Sequence, residues 1–402
     1  MLPGTHHMYK RHKKKVILTL KIAVAAGLLL WLFSKVHWND YVISAHNHNS
    51  YDVVSTPSPH ADPQFVTVST GWWWWKQTLN LDMDQLVAPE GSGGIIRPGF
   101  ATTIRRMDRT LFALAVAAFA LSTLVVGVRW WFLLKMQEIR ISLWEAIRLT
   151  FLGQFFNAVV PGTVGGDLVK GYYVARHTPK RAGVLMSILV DRLLGLVELV
   201  MLAGVILTLV LATGVESFSK LKSAAVMVAI VTVLVVFLLA MLLSSRFRSV
   251  LHLEKLYARL SISHHMEAAK DAAMLYRQRL GGLFKAIMIT FGSQIIWMSA
   301  IALLGMSLKL QTPWHTYYMF VPVIYIIGAI PVTPGGMGII EAGYIEFFKS
   351  PQVGASMILA LAMLARFVPV FIALPGLMVA ITGPRLPKTD DIEAQLGIKE
   401  EI

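Results

Sequence analysis

Apolar residues along this chain gather into long runs separated by short polar and basic stretches, and roughly 20 apolar residues in a helix suffice to cross a hydrocarbon core. Runs of that size are Val16 to Phe33, Leu111 to Leu134, Val184 to Thr213, Ala224 to Leu243, Ala286 to Leu308 and Ala355 to Thr382. Two further apolar stretches are interrupted. Trp144 to Val160 runs into Pro161-Gly162-Thr163-Val164-Gly165-Gly166-Asp167 and resumes as Leu168 to Ala175. Tyr317 to Ile330 runs into Pro331-Val332-Thr333-Pro334-Gly335-Gly336-Met337-Gly338 and resumes as Ile339 to Phe348. Proline with clustered glycine breaks a helix, and each half is short for a span. Irregular backbone at bilayer depth is tolerated only beside protein or water, so both segments read as re-entrant hairpins lining a cavity.

The expected fold is therefore an all-α polytopic membrane protein: the six runs as transmembrane helices plus two re-entrant broken helices. Residues 1–33 read as a basic cytoplasmic start and a retained signal anchor, because no small-residue cleavage pattern follows Phe33. Residues 34–110 read as an extracytoplasmic insert, 111–383 as the membrane domain and 384–402 as a cytoplasmic tail. The insert carries Trp72-Trp73-Trp74-Trp75, which cannot all enter one small core and suit the headgroup layer. Val250, Leu253, Tyr257 and Leu260 recur at helical spacing among basic residues, as in a helix lying on the membrane surface.

Composition supports the membrane reading: 55% of residues are hydrophobic, 15% are charged and mean hydropathy is +0.61, where soluble domains carry about 25% charged residues. The net charge of +14 lies beside apolar runs, as in Lys10-Arg11-His12-Lys13-Lys14-Lys15 before Val16, so it marks topology and not nucleic-acid binding. If the first broken segment crossed fully, Lys170, Arg176, Lys180 and Arg181 would lie outside, and so would the basic loop from Arg246 to Lys285. A hairpin dipping from the cytoplasm keeps both groups inside; parity makes the second dip from the outer face. The stretch from Pro161-Gly162 through Gly166 to Gly171-Tyr172 echoes Pro334-Gly335 through Gly338 to Gly343-Tyr344, as an inverted-topology repeat of a transporter would.

There is no cysteine, so thiolate chemistry and cysteine-based metal sites are excluded. His46 and His48 form an isolated H-x-H in a loop and are not read as a metal site; no cofactor is expected. Ionisable residues inside membrane segments mark a function or a partner. They are Asp167 and Lys170 after the first break, Asp191, Arg192 and Glu198 in the next span, Glu341 after the second break, and Arg366. Lys170, Arg192 or Arg366 beside a helix start would suit a phosphate; Asp167 or Glu341 would suit a cation or amine. Plainer roles stand beside these: Asp167 as N-cap, Glu341 as a partner of the helix dipole, Asp191 and Arg192 at the cytoplasmic interface, Arg366 paired with Glu341 or Glu198, and Arg129 snorkelling.

The run Arg129-Trp130-Trp131-Phe132-Leu133-Leu134, then Phe151-Leu152-Gly153-Gln154-Phe155-Phe156-Asn157, Pro161-Gly162, Gly165-Gly166-Asp167, Asp191-Arg192, Pro334-Gly335-Gly336-Met337-Gly338 with Glu341, and Arg366 resembles the flippase-like membrane domain of lysylphosphatidylglycerol synthases and its stand-alone relatives. The resemblance covers Leu111 to Gly383 and the first span. It implies a non-enzymatic inner-membrane protein of a bacterium or archaeon that moves a polar or anionic phospholipid, aminoacylated in the family's best-known case, between leaflets. Asp167, Lys170, Asp191, Arg192, Glu341 and Arg366 are then the lipid-path residues. Residues from Asp40 to Arg105 have no recognised counterpart, and only a short tail follows Gly383, so lipid aminoacylation by this chain is not expected. A membrane enzyme using Asp167 or Glu341 as general base, a scaffold docking through Ser34 to Thr110, and assembly as a homo-oligomer or with a membrane partner stay open.

Overall fold

The computed structural model describes residues 37–44, 50–55, 65–70, 77–82, 84, 86, 96–159, 165–213, 272–329, 332–350 and 352–383, with isolated positions at 27, 30 and between 222 and 240. Most of the expected spans Val16 to Phe33 and Ala224 to Leu243, and all of the Trp72 to Trp75 run, His46 and His48, the Val250 to Leu260 helix, Pro161-Gly162 and the tail after Gly383, lie outside the described residues; the positions described within the two spans are helical.

Four described helices are long and apolar enough to cross a membrane: Arg109–Met136, Arg181–Leu209, Leu280–Ser307 and Ala355–Thr382. In chain order the helices are α1 (Phe100–Arg105), α2 (Arg109–Met136), α3 (Leu143–Val159), α4 (Gly165–Ala175), α5 (Arg181–Thr213), α6 (Leu280–Ser307), α7 (Trp314–Ala329), α8 (Ile339–Phe348), α9 (Ala355–Ile372) and α10 (Pro375–Thr382). The chain divides into two compact units. One contains residues 1–115, 301–317 and 336–366, the other residues 116–300, 318–335 and 367–402.

The all-α reading describes the membrane region, and the insert adds a sheet to it. Strands β1 (Tyr41–Ile43), β2 (Ser50–Ser55), β3 (Phe65–Thr70) and β4 (Gln77–Asp82) form an antiparallel meander in sequence order. The cause is local: Phe65-Val66-Thr67-Val68-Ser69-Thr70 alternates with period two, so Val66 and Val68 enter a small core with Val42 and Leu86. His37 ties the sheet's start down, meeting Asp52 Oδ1 at 2.5 Å and Ser50 Oγ at 2.8 Å while its ring stacks on Tyr41. Its backbone N–H also donates to Ser356 Oγ of α9 at 3.1 Å.

The membrane helices repeat in local structure. Both α2 and α6 end in a left-handed turn, at Glu138 (φ 58°) and Lys309 (φ 59°). The following N–H groups, of Ile139 and Leu310, each reach back five residues, to Leu134 O and Gly305 O, at 3.0 Å. Each turn leads into a helix too short to span, α3 of 17 and α7 of 16 residues. A second short helix follows, α4 of 11 and α8 of 10 residues, and then a candidate span. Lys309 minus Glu138 and Trp314 minus Leu143 both give 171, and after the breaks Ile339 minus Gly165 and Ala355 minus Arg181 both give 174. This register sets Tyr344 against Lys170, two residues away from the alignment that the Gly-Tyr echo suggested.

At the second break, Pro334–Gly336 form a short 3₁₀ turn. Gly335, Gly336 and Gly338 have φ of 60°, 66° and 81°, a region that residues with a Cβ rarely enter, so glycine is required there. At the first, α3 and α4 meet backbone to backbone: a Cβ on Gly166 would lie within 2.7 Å of Gly153 O and Asn157 N. Asn157 Oδ1 accepts the Gly166 N–H at 2.8 Å and so satisfies one of the unpaired donors at the start of α4.

Candidate functional site

The unit containing residues 116–300 encloses a cavity of about 640 Å³ lined by α2 through α7 and α9. Its polar wall is built from Arg129 on α2, Gln154 on α3, Asp167 and Lys170 on α4, Asp191 and Arg192 on α5, and Ser293 and Gln294 on α6. Aromatic Trp297 and Tyr325 stand edge to face, with ring centroids 4.5 Å apart, and supply the apolar part with Phe119. The volume falls in the range of small-molecule sites, about 300–1,000 Å³.

Helical spacing explains how the charges meet. Asp167 and Lys170 are one turn apart on α4, and Lys170 Nζ lies 3.1 Å from Asp167 Oδ1 and 3.7 Å from Asp191 Oδ2. The Lys170 ammonium also sits 4.6 Å above the Trp130 ring, so a nearly fully buried cation has two carboxylates and a π face. Arg129 Nε donates to Asp191 Oδ1 at 2.8 Å. Arg192 donates through Nε and Nη2 to Asp167 Oδ2 while its side chain stays 45% exposed, which leaves donors free to face the cavity. Arg129, Lys170 and Arg192 thus face Asp167 and Asp191, three cations against two carboxylates.

Two plainer expectations are corrected here. The described cap on α4 comes from Asn157, and Asp167 spends both oxygens on Lys170 and Arg192. Arg129 does not snorkel: it is 7% exposed and holds Asp191, a cavity residue that its position near the end of a span did not reveal.

In the other unit, Glu341 is fully buried at the start of α8. Its Oε2 accepts the Gly338 N–H at 2.7 Å and its Oε1 accepts Arg366 Nε at 2.5 Å. Both plainer readings of this residue hold, as helix-start partner and as mate of Arg366. The structure thus brings Asp167, Lys170, Asp191 and Arg192 to one cavity, and Glu341 and Arg366 to a separate pair.

The repeat register relates the two clusters. Arg192 minus Asp167 and Arg366 minus Glu341 both give 25, each acid is the third residue of its short helix, and each arginine reaches back with Nε. The acid–arginine pair is common to both repeats. Arg129, Lys170 and Asp191 are not, since Ala300, Tyr344 and Ala365 hold the corresponding places.

The model of the lysylphosphatidylglycerol synthase TM region matches residues 99–376. The chain belongs to that family. A UPF0104 membrane protein of Pyrococcus horikoshii is 22% identical over 293 residues, which cover 67% of this chain and 87% of that relative. No solved structure matches the chain. The lysylphosphatidylglycerol synthase TM match begins ahead of Leu111 and ends before Gly383, so both breaks, the charged cavity and the Glu341–Arg366 pair fall inside the family region, whereas the four-stranded sheet precedes it. Multi-pass membrane character follows from the family and from the four apolar helices.

Proposed function

We propose that this chain moves a polar or anionic phospholipid, aminoacylated or not, between the leaflets of a bacterial or archaeal inner membrane. The observation that carries this reading is the charged cavity: five ionisable side chains, Arg129, Asp167, Lys170, Asp191 and Arg192, are gathered in apolar helices around about 640 Å³ of space. Charges at membrane depth cost several kcal/mol each unless they serve a pathway or one another. Here the cations outnumber the carboxylates by one, which suits a phosphate headgroup, and Arg192 has the exposed donors to receive it. The short helix pairs α3–α4 and α7–α8 support the re-entrant reading, since backbone that breaks at bilayer depth needs a polar cavity beside it. On this reading the lipid is translocated and not transformed, its tails staying in the bilayer. Glu341 and Arg366 enter as the pair that holds the start of α8 in place.

Proteoliposomes carrying fluorophore-labelled phosphatidylglycerol, with the outer leaflet bleached by a membrane-impermeant reductant, test the reading. Wild type should expose inner-leaflet lipid and Arg192→Gln should do so at least several-fold more slowly. Wild-type vesicles that behave like protein-free ones would overturn it.

A further inference from the structure

Of the two carboxylates in α5, Asp191 lines the cavity and Glu198 does not. It is 3% exposed, and neither of its oxygens has a hydrogen-bond partner among the described residues. Every other buried acid described in that unit is paired: Asp167 with Lys170 and Arg192, Asp191 with Arg129 and Lys170, Glu145 with Arg148. An unpaired carboxylate in such surroundings costs far more than a protonated one, and groups so placed neutralise instead.

Its location ties it to the cavity. Asp191, Gly195 and Glu198 follow at intervals of four and three, one face of α5. Gly195, Leu196 and Leu199 line the cavity, and a Cβ on Gly195 would touch nothing, so the helix face beside Glu198 is open space. From α2, Arg129 lines the same cavity, and its guanidinium donates to Asp191. The other ionisable groups around this level are Asp191 and Arg192 on α5 itself, Asp167 and Lys170 on α4, and Tyr325 on α7, which packs on α5 here through Ile326 and Val200. The repeat register places Ile372 where the second repeat would carry a matching acid, so Glu198 belongs to the specialised set with Arg129, Lys170 and Asp191.

We propose that Glu198 is a proton-binding site that couples headgroup movement to the proton gradient, a role that rests on the translocation reading above. With Glu198 protonated, Arg129 stays on Asp191 and the cavity keeps one uncompensated positive charge, which an anionic headgroup neutralises. When Glu198 releases its proton, the carboxylate draws on Arg129 and cancels that surplus, so the headgroup leaves. Proton and anion bind together and depart together, and each raises the affinity for the other by the same factor. The cargo pair of one proton and one singly charged headgroup is electroneutral. Transport therefore follows the pH gradient and ignores membrane potential.

Two measurements decide the proposal. Infrared difference spectra of the purified full chain in nanodiscs at neutral pH should contain the carbonyl stretch of a protonated carboxyl group, lost in Glu198→Gln and removed by alkaline titration. In proteoliposomes with labelled phosphatidylglycerol, a gradient of one pH unit should drive about a tenfold leaflet asymmetry at one-to-one coupling. Glu198→Gln should move lipid without building any asymmetry. An absent carbonyl band, or a Glu198→Gln protein that builds the wild-type asymmetry, overturns the proposal. Glu198→Gln that fails to fold while Glu198→Asp folds also overturns it, because an amide has the shape of the protonated acid. If wild type moves no lipid, the translocation reading and the coupling fall together, while the infrared band still decides the proton site.

Discussion

Arg366 donates from Nε to Glu341 Oε1 at 2.5 Å across 25 residues of chain, the separation at which Arg192 reaches Asp167 in the first repeat. A pair present in both repeats, including the one whose neighbours are Tyr344 and Ala365, serves the architecture first. Glu341→Ala would leave the Gly338 N–H and the Arg366 guanidinium without their buried acceptor, and loss of one partner of a buried pair costs about 3–5 kcal/mol. Thermal unfolding in detergent should show that loss. Glu341→Gln keeps an acceptor for Gly338 and should lose less than Glu341→Ala; equal losses would mean the cap contributes nothing.

Arg129 and Asp191 lie 62 residues apart in sequence and are both nearly fully buried, so removing Asp191 takes away the carboxylate that Arg129 donates to, and removing Arg129 leaves Asp191 with Lys170 alone, at 3.7 Å. Arg129→Met and Asp191→Leu should each destabilise the protein by about 3–5 kcal/mol, while the double variant should recover most of that, since a packed apolar pair replaces a buried ion pair at little cost. A double-mutant cycle on unfolding midpoints measures the coupling. Strict additivity would show that the pair does not act as one.

These residues also mark what could be read from the sequence and what could not. The four described spans are long apolar runs and the second break is a Pro-Gly cluster, so their order and that irregular segment were legible from local pattern alone. The acids and arginines at the breaks were legible because charge in an apolar run stands out. Arg129 was not: an arginine near the end of a span looks the same whether it snorkels or holds a carboxylate 62 residues on, and no local pattern encodes that partner. The sheet was hidden for another reason. Its strands have three to six residues each, too short for the alternation in β3 and β4 to stand out among long apolar runs. The repeat register depended on a three-residue difference between the breaks, visible only once helix starts fixed both sides of the gap.

Gly166 is set by space. A methyl group there would press against the Gly153 carbonyl and the Asn157 backbone nitrogen, and neither backbone atom can move without shifting α3. Gly166→Ala should cost about 1–3 kcal/mol, as overpacked sites do. Displacing α4 also moves Asp167 and Lys170 together, so lipid movement should fall further than stability does. A variant with a lowered unfolding midpoint and wild-type lipid movement per folded molecule would show that α4 does not position the cavity.

Glu138 offers a pH test that leaves the cavity untouched. It sits in the exposed turn after α2 with Lys180 Nζ and Arg279 Nη2 each 2.7 Å from its carboxylate, and hydrogen bonds and charge from Lys180, then Arg279, hold its carboxyl below the usual glutamate range. A carboxyl whose pKa is lower in the folded state binds its proton more readily when unfolded. Its stabilising contribution is therefore present above the ordinary glutamate pKa and is lost as pH falls through the depressed one. Glu138→Gln should accordingly melt below wild type at neutral pH, and the two curves should converge in acid, with the neutral-pH difference shrinking at high salt because the pairs are exposed. A gap between wild type and Glu138→Gln that persists unchanged into acid would place the effect of the substitution in the left-handed turn itself and not in the ion pairs.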